Sequence, residues 1–323
     1  MNPNKVLICC EKYADLNPDM KLTNSFHNII NTFSRSKPDH IFHLLHHDEA
    51  NLVYNQHVDN ILPNYCKAWG IKSIQFILLG GASCNPSQET YQKLRDQKVH
   101  LTFHWPDTGP GWGCDTINQL WNPLDLHISW DNPRSGFHSA FPKRDNHLYL
   151  WVPQDPTYFY KDSVQDIPVS FVGSPRYRDR QHCLSHLIKE IPSALVTGGQ
   201  RESNLSPEKY AELIRRTKIG INFSLSPAMF YQTKGRIFEI LASGSMLLEL
   251  KNPSTSSLFE PGVDYVEFES AKEMVDKIRY YTEHEEERLK IAESGYKKYN
   301  EKYTAQKFWD RIIERVELDM TKL

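Results

Sequence analysis

The sequence predicts an α/β protein built as two successive parallel sheets. Three observations lead there. Short apolar runs alternate with amphipathic segments at the spacing of strand–helix–strand units. That alternation lapses in residues 132–161, which are richer in Pro, Phe and Tyr, and then begins again. Finally, residues 231–250, YQTKGRIFEILASGSMLLEL, read as half of an α/β repeat. In that stretch Ile237, Ile240 and Leu241 make the i, i+3, i+4 stripe of a short helix. Gly244 stands where a left-handed residue ends such a helix, and MLLEL is the apolar run of a buried parallel strand.

Each element follows in order. KVLICCE (residues 5–11) is a first buried strand. Phe26, Ile29, Ile30 and Phe33 give an amphipathic helix with Asn24 or Thr23 as N-cap. HIFHLLHH is a second strand and SIQFILLGG a third, ending in turn glycines. Asn85-Pro86 supplies an N-cap and first-turn proline for a helix that turns Tyr91 and Leu94 inward. KVHLTFHW and DLHISWD are the fourth and fifth strands. PRSGFHSAFPKRD is loop-like, and the change of domain is expected near residues 151–162. The second series runs PVSFVG, a helix from SPRYRDRQHCLSHLIKE, SALVTGG, a helix capped by Ser206-Pro207-Glu208, and KIGINFS. After residues 231–250 come a Ser/Thr loop, the strand YVEFES and helices rich in Lys and Glu.

Composition narrows the function classes. With 38 basic against 40 acidic residues in 323, no broad nucleic-acid-binding face is indicated, although a local basic pocket is allowed. Six scattered cysteines lack metal-site or framework spacing, which suits a reducing compartment. The first residues, MNPNKVLICCEKY, hold no long apolar core, and no apolar run reaches spanning length. A cytoplasmic protein is expected, with any membrane contact peripheral. HLLHHDE offers histidines without ligand geometry, because His46 and His47 are adjacent and His43 lies on another face.

The chemistry concentrates at two turns. Lys234, Arg236 and Glu239 crowd the first turns of the helix in residues 231–250, where the helix dipole is already positive. Cations there either meet an anion, or Arg236 and Glu239 form an i, i+3 pair on a solvated face. FVGSPRYRDR places Gly173, Arg176, Arg178 and Arg180 at the carboxyl end of a strand entering a helix, where open α/β sheets bind ligands. Guanidinium forks suit diphosphate oxygens. No G-x-G-x-x-G or Walker motif is present, so a dinucleotide or ATP reading has no support.

The run KGRIFEILASG followed by LFEPGVDYVEF resembles the donor-binding half of GT-B glycosyltransferases of the group 1 type, most closely the CgeB-like (spore-maturation-protein-like) subgroup. The resemblance covers roughly residues 150–305. It implies two Rossmann-like domains with parallel sheets facing a central cleft. Residues 1–155 would be the acceptor domain, 156–305 the nucleotide-sugar donor domain, and 306–323 a C-terminal helix that packs back on the first domain. It further implies that Glu239 holds the ribose hydroxyls of a UDP- or GDP-sugar, and that Arg180 and the other basic residues face its diphosphate. Many retaining members carry a Glu eight positions before the ribose-binding one; here Tyr231 stands there. Tyrosine supplies a hydrogen bond but no carboxylate. The sequence contains no Asp-x-Asp metal clasp, so cations and the helix dipole are expected to stabilise the leaving group without metal or tightly bound cofactor.

In the first half, HWPDTGPGWG is the richest loop. His104 or Asp107 would act there as general base toward an acceptor hydroxyl or orient the sugar. A tight turn capped by Asp107 is an equal reading. The expected activity is sugar transfer from a nucleotide sugar to a hydroxyl acceptor whose identity the residues leave open. A nucleotide-sugar epimerase of the same fold and a non-catalytic sugar-nucleotide or glycan-binding module are the rivals.

Overall fold

The computed structural model describes residues 5–13, 17, 26–77, 85–106, 124–131, 144–162, 164–175, 178–198, 205–225 and 231–322. They form two compact units. Residues 5–131, 144–151 and 305–322 make up the first, and residues 152–304 the second.

The first unit carries six parallel strands: β1 (Lys5–Cys10), β2 (Ile41–His46), β3 (Ser73–Ile77), β4 (His100–Trp105), β5 (Leu126–Ser129) and β6 (His147–Tyr149). Their order is β2-β1-β3-β4-β5-β6. Every residue of β3, β4 and β5 is buried, as a sheet covered on both faces requires. Four helices follow in the chain: α1 (Thr32–Ser36), α2 (His47–Leu52), α3 (Val58–Trp69) and α4 (Gln88–Asp96). Gly70 ends α3 in the left-handed conformation, φ 62°.

The second unit repeats the scheme with β7 (Ile167–Val172), β8 (Leu195–Thr197), β9 (Thr217–Asn222), β10 (Met246–Leu250) and β11 (Val266–Phe268), ordered β11-β10-β9-β7-β8. Its helices are α5 (Arg178–Glu190), α6 (Pro207–Arg215), α7 (Gly235–Ala242), α8 (Pro253–Ser256), α9 (Ala271–Glu283) and α10 (Glu285–Lys302). The expected Ser206 cap and Pro207 start are present, with the Ser206 hydroxyl accepting from the Lys209 amide at 3.2 Å. Gly244 closes α7 at φ 69°. Phe171, Ile221, Met246, Leu248 and Phe268 fill the core between the strands and the helices that cover them.

The last helix, α11 (Ala305–Met320), belongs to the first unit. Trp309 is fully buried, donates from Nε1 to Thr32 Oγ1 at 2.9 Å and meets Phe33 edge-on at 4.9 Å. Lys37 pairs with Asp310 at 2.6 Å beside it.

Three elements differ from the sequence reading. Strand β6 lies inside the stretch read as irregular; three residues flanked by loops give too little periodicity to stand out. The cap of α4 is Ser87, not Asn85, and its hydroxyl accepts from the Thr90 amide at 3.3 Å. The segment expected as one α-helix opens as a π-helical turn, Phe26–Asn31, before α1. There the Thr32 hydroxyl bonds back to the carbonyls of Asn28 and Ile29, competing with the backbone for them. The apolar stripe survives, since Ile29, Ile30 and Phe33 are all buried.

Helix α10 reaches the base of α7 through a glycine. A Cβ on Gly295 would come 2.3 Å from the Asp264 carbonyl oxygen and 2.7 Å from Leu241 Cδ2. Alanine outranks glycine inside a helix by about 1 kcal/mol, but forcing a methyl against backbone costs about 1–3 kcal/mol. Gly295→Ala is therefore expected to destabilise the protein by up to about 2 kcal/mol in denaturant unfolding. An unchanged or raised midpoint would show that α10 has room to shift.

Candidate functional site

The second sheet has a topological switch point between β7 and β9. From β7 the chain crosses to β8 on one side, then returns past β7 to β9, β10 and β11 on the other. Crevices outside the carboxyl ends of such a strand pair are where doubly wound sheets bind ligands. Here β7 ends at Val172-Gly173, β9 ends at Asn222, and α7 begins just after residue 234. Gly173, Arg180, Arg236 and Glu239 come together around this point.

Arg236 is the centre of the group. Its guanidinium lies over the Phe171 ring at 4.9 Å and donates from Nη1 to Asn222 Oδ1 at 2.9 Å. A Cβ on Gly173 would stand 2.0 Å from Nη2. Gly173 is thus the seat of the guanidinium rather than a ligand contact of its own. Arg236 does not sit in a surface pair with Glu239. Glu239 is half-buried and accepts instead from the Tyr210 hydroxyl, Oη to Oε2, at 2.6 Å. Burial raises the Glu239 carboxyl above its ordinary range, opposed by the Tyr210 hydrogen bond and the nearby Arg236 charge. The Tyr210 hydroxyl is pushed up by burial and by Glu239, so it stays a donor.

Asn222 continues the chain inward. Its Nδ2 donates to Glu249 Oε2 at 2.7 Å, and Asn252 Nδ2 donates to Glu249 Oε1 at 3.1 Å. Glu249 is fully buried on the interior strand β10, and burial lifts its carboxyl to about 7 against the pull of Ser224, Asn222, Arg236 and Arg180.

Arg180 has a role that the sequence did not suggest. It is only 6% exposed, and its two terminal nitrogens donate to the carbonyls of Ser174 (2.6 Å) and Phe223 (3.2 Å). The rings of Phe171 and Phe223 each lie 5.6 Å from it. With its fork turned onto backbone, Arg180 ties the ends of β7 and β9 together. Its fork is engaged with backbone where the sequence reading expected it to face a diphosphate. Lys234 is the N-cap of α7 and makes no cap bond with its side chain; Nζ donates to Gln232 Oε1. Gln154 holds the start of α7, donating to the Gly235 carbonyl at 3.3 Å. Tyr231 forms a bridge with Leu225 and lines a groove of 660 Å³ with Leu250, Asn252, Pro261 and Glu267. Arg176 lies outside the described residues, as does Asp107.

His104 is a correction. It is the fifth residue of β4 rather than a loop residue, and it is fully buried. Nε2 meets Gln75 Oε1 at 2.8 Å, with the rings of Trp130, Phe308 and Trp309 around it. Burial lowers its pKa to about 3. A neutral imidazole enclosed by aromatics cannot reach an acceptor hydroxyl, so the general-base reading of His104 is withdrawn. Sequence reasoning in turn missed Tyr210, Asn222 and Glu249. The one signal was Glu249, a carboxylate inside the otherwise apolar run MLLEL.

Residues 161–314 match the family described as glycosyl transferase-like, a little under half the chain. The solved structures extend the likeness to the whole of it. Anabaena HepE, crystallised with UDP, shares 13% identity with a TM-score of 0.67, over 97% of this chain and 99% of that one. A glycosyltransferase from Rickettsia africae shares 10%, TM-score 0.65, over 99% of both chains. A Listeria monocytogenes protein described as a UDP-N-acetylglucosamine 2-epimerase shares 10%, TM-score 0.58, over 99% and 98%. The fold is GT-B. No curated protein sequence matches the chain at a significant level. The switch-point group therefore lies in the glycosyl transferase-like half of a GT-B chain.

Because the Gly173 seat leaves no space for a methyl, Gly173→Ala is expected to push the Arg236 guanidinium off Phe171. If this group meets a nucleoside diphosphate, binding of that ligand should fall at least tenfold while the melting temperature changes little, since a lost charge-assisted contact is worth about 1.5–3 kcal/mol. Wild-type affinity in calorimetry would show that Arg236 is not a phosphate contact.

Proposed function

We infer that the chain is a nucleotide-sugar-dependent glycosyltransferase whose donor docks at the β7/β9 switch point of the second unit. One observation carries this: a half-buried carboxylate, oriented by a tyrosine, three residues beyond an arginine wedged on an aromatic ring at the start of a helix. Glu239 keeps Oε1 and one lone pair of Oε2 for the ribose hydroxyls. Arg236, Lys234 and the positive amino-terminal end of α7 meet the diphosphate, with Arg180 adding charge from below. As the sugar–oxygen bond breaks, negative charge grows on that diphosphate, and these groups stabilise it more than they stabilise the intact donor.

A UDP-sugar is the favoured donor class, supported by HepE, which has been crystallised with UDP and with UDP-glucose. A GDP-sugar is the alternative. Within the glycosyl transferase-like family the KGRIFEILASG run favours the CgeB-like subgroup. Tyr231 in place of a second carboxylate leaves the donor sugar to be held by hydrogen bonds on that side. The acceptor is a hydroxyl compound activated by a base of the first unit, and with His104 sealed in the core that assignment passes to Asp107. We place the protein in the cytoplasm; among the described residues no helix is long and apolar enough to cross a membrane. The likeness to the Listeria protein keeps an epimerase as the second reading. Epimerised nucleotide sugar formed without any acceptor would favour it.

Thermal-shift screening against UDP- and GDP-sugars is the direct test, since a ligand bound only by the native state raises the melting temperature. The bound nucleotide then serves for Glu239→Gln. Turning the carboxylate into an amide should weaken donor binding by about 1.5–3 kcal/mol. Unchanged affinity would remove Glu239 from the ribose site.

A further inference from the structure

Gln154 carries a polar atom that the fold leaves unused. Its side chain is 1% exposed, and its amide nitrogen donates to the carbonyls of Val152 at 3.2 Å and Gly235 at 3.3 Å. Both neighbours are acceptors, so the NH2 must face them and the amide oxygen must lie on the other side. That oxygen is buried and has no hydrogen-bond partner among the described residues. Buried polar groups are almost always satisfied, so an orphan acceptor of this kind calls for a donor from outside the chain.

The amide lies beside the carboxylate already assigned to the donor. Gly235, the first residue of α7, stands between them. The point where its Cβ would begin is 3.5 Å from Gln154 Nε2, 3.5 Å from Glu239 Oε1 and 3.5 Å from Val152 Cγ1. Those are ordinary contact distances, and Gly235 is not among the glycines with positive φ. Neither backbone nor neighbours demand glycine there, although alanine is the better helix former. The missing side chain leaves a gap bounded by an amide, a carboxylate and a methyl group. On the carboxylate, Oε2 already accepts from Tyr210 at 2.6 Å, which leaves Oε1 as the oxygen without that commitment. A ribose presents two neighbouring hydroxyls, each with one proton to donate. Two acceptors flanking a bare glycine match that pair.

Resting on the donor-site reading above, we propose that Gln154 is a second ribose contact and that the diol of the donor nucleotide is divided between two side chains. One hydroxyl donates to Glu239 Oε1, its neighbour donates to Gln154 Oε1, and the face of Gly235 is the gap that admits them. A site built from two acceptors rejects a sugar lacking either hydroxyl, because the acceptor left behind stays buried and unpaired. The site therefore selects ribonucleotide over deoxyribonucleotide donors. The two halves differ in strength, since the carboxylate makes a charge-assisted bond and the amide oxygen a neutral one.

Calorimetry with the full chain compares UDP or GDP, whichever wild type binds, with its 2′-deoxy and 3′-deoxy forms. Losing the hydroxyl held by Glu239 should weaken wild-type binding by at least about tenfold, and losing the other by about three- to tenfold. Gln154→Met keeps the side-chain length and removes the amide. It should abolish the smaller penalty and keep the larger, whereas Glu239→Gln should shrink the larger and keep the smaller. A purely structural Gln154 would lower all three affinities alike in Gln154→Met and leave both ratios unchanged, which would overturn the proposal. So would a wild type indifferent to one of the two hydroxyls. Gly235→Ala fills the gap without removing either acceptor. Its melting temperature without ligand should hold or rise, while affinity for the ribonucleotide falls by at least about tenfold. Wild-type affinity in Gly235→Ala would remove the ribose from this gap. If Gln154→Met does not fold, Gly235→Ala and the wild-type ratios decide alone. Failure of wild type to bind either nucleoside diphosphate would overturn the donor-site reading itself, and this proposal with it.

Discussion

One guanidinium holds the second unit's candidate site in register. Arg236 fits only because β7 ends in a residue without a side chain, because Phe171 offers a ring beneath it, and because Asn222 presents an oxygen beside it. These three contacts come from two strands that are neighbours in the sheet but fifty residues apart in the chain. A cation over an aromatic face gains about 0.5–2 kcal/mol, more as water is excluded. The larger effect is geometric: the ring, the glycine seat and the Asn222 oxygen together fix the plane of the fork.

The charges around it form an ordered series rather than a set of pairs. Glu249, Asn222, Arg236, Tyr210 and Glu239 alternate acceptor and donor from the core of the sheet to the rim of the crevice. Such a chain is expensive where it is buried, and a packed apolar core of similar volume would be at least as stable. Its retention at the carboxyl end of β7 and β9, where the sheet order reverses, is what separates it from ordinary structural polarity. Arg180 shows the contrast. It is equally cationic and nearby, but it bonds to two carbonyls and between two rings, and so it stiffens the strand ends.

The first unit shows how residue type can mislead. His104, opposite Ile77 in the register, bonds diagonally to Gln75 between β4 and β3 inside an aromatic shell. From the sequence a histidine just before Trp-Pro-Asp reads as the start of a functional loop. In the fold His104 belongs to the strand KVHLTFHW and not to the loop after it, and the imidazole joins the core as a neutral hydrogen-bonding group. Burial alone accounts for its lowered pKa.

What the sequence determined by itself is whatever depends on local periodicity and local backbone geometry. The apolar runs specified ten of the eleven strands among the described residues, and local signals gave the Ser206-Pro207 cap, the left-handed Gly244 and the crowding of Lys234, Arg236 and Glu239 at one helix start. The resemblance in KGRIFEILASG pointed to the GT-B fold from the same few residues. Tertiary structure decided everything that needed two strands side by side. Tyr210, Asn222 and Glu249 looked like a helix-face tyrosine and two strand residues until the order β11-β10-β9-β7-β8 brought them to one point. Gly173 looked like a turn glycine until Arg236 occupied the space of its missing side chain. Periodicity reports which face of an element is buried; it carries no information on which other element that face will meet.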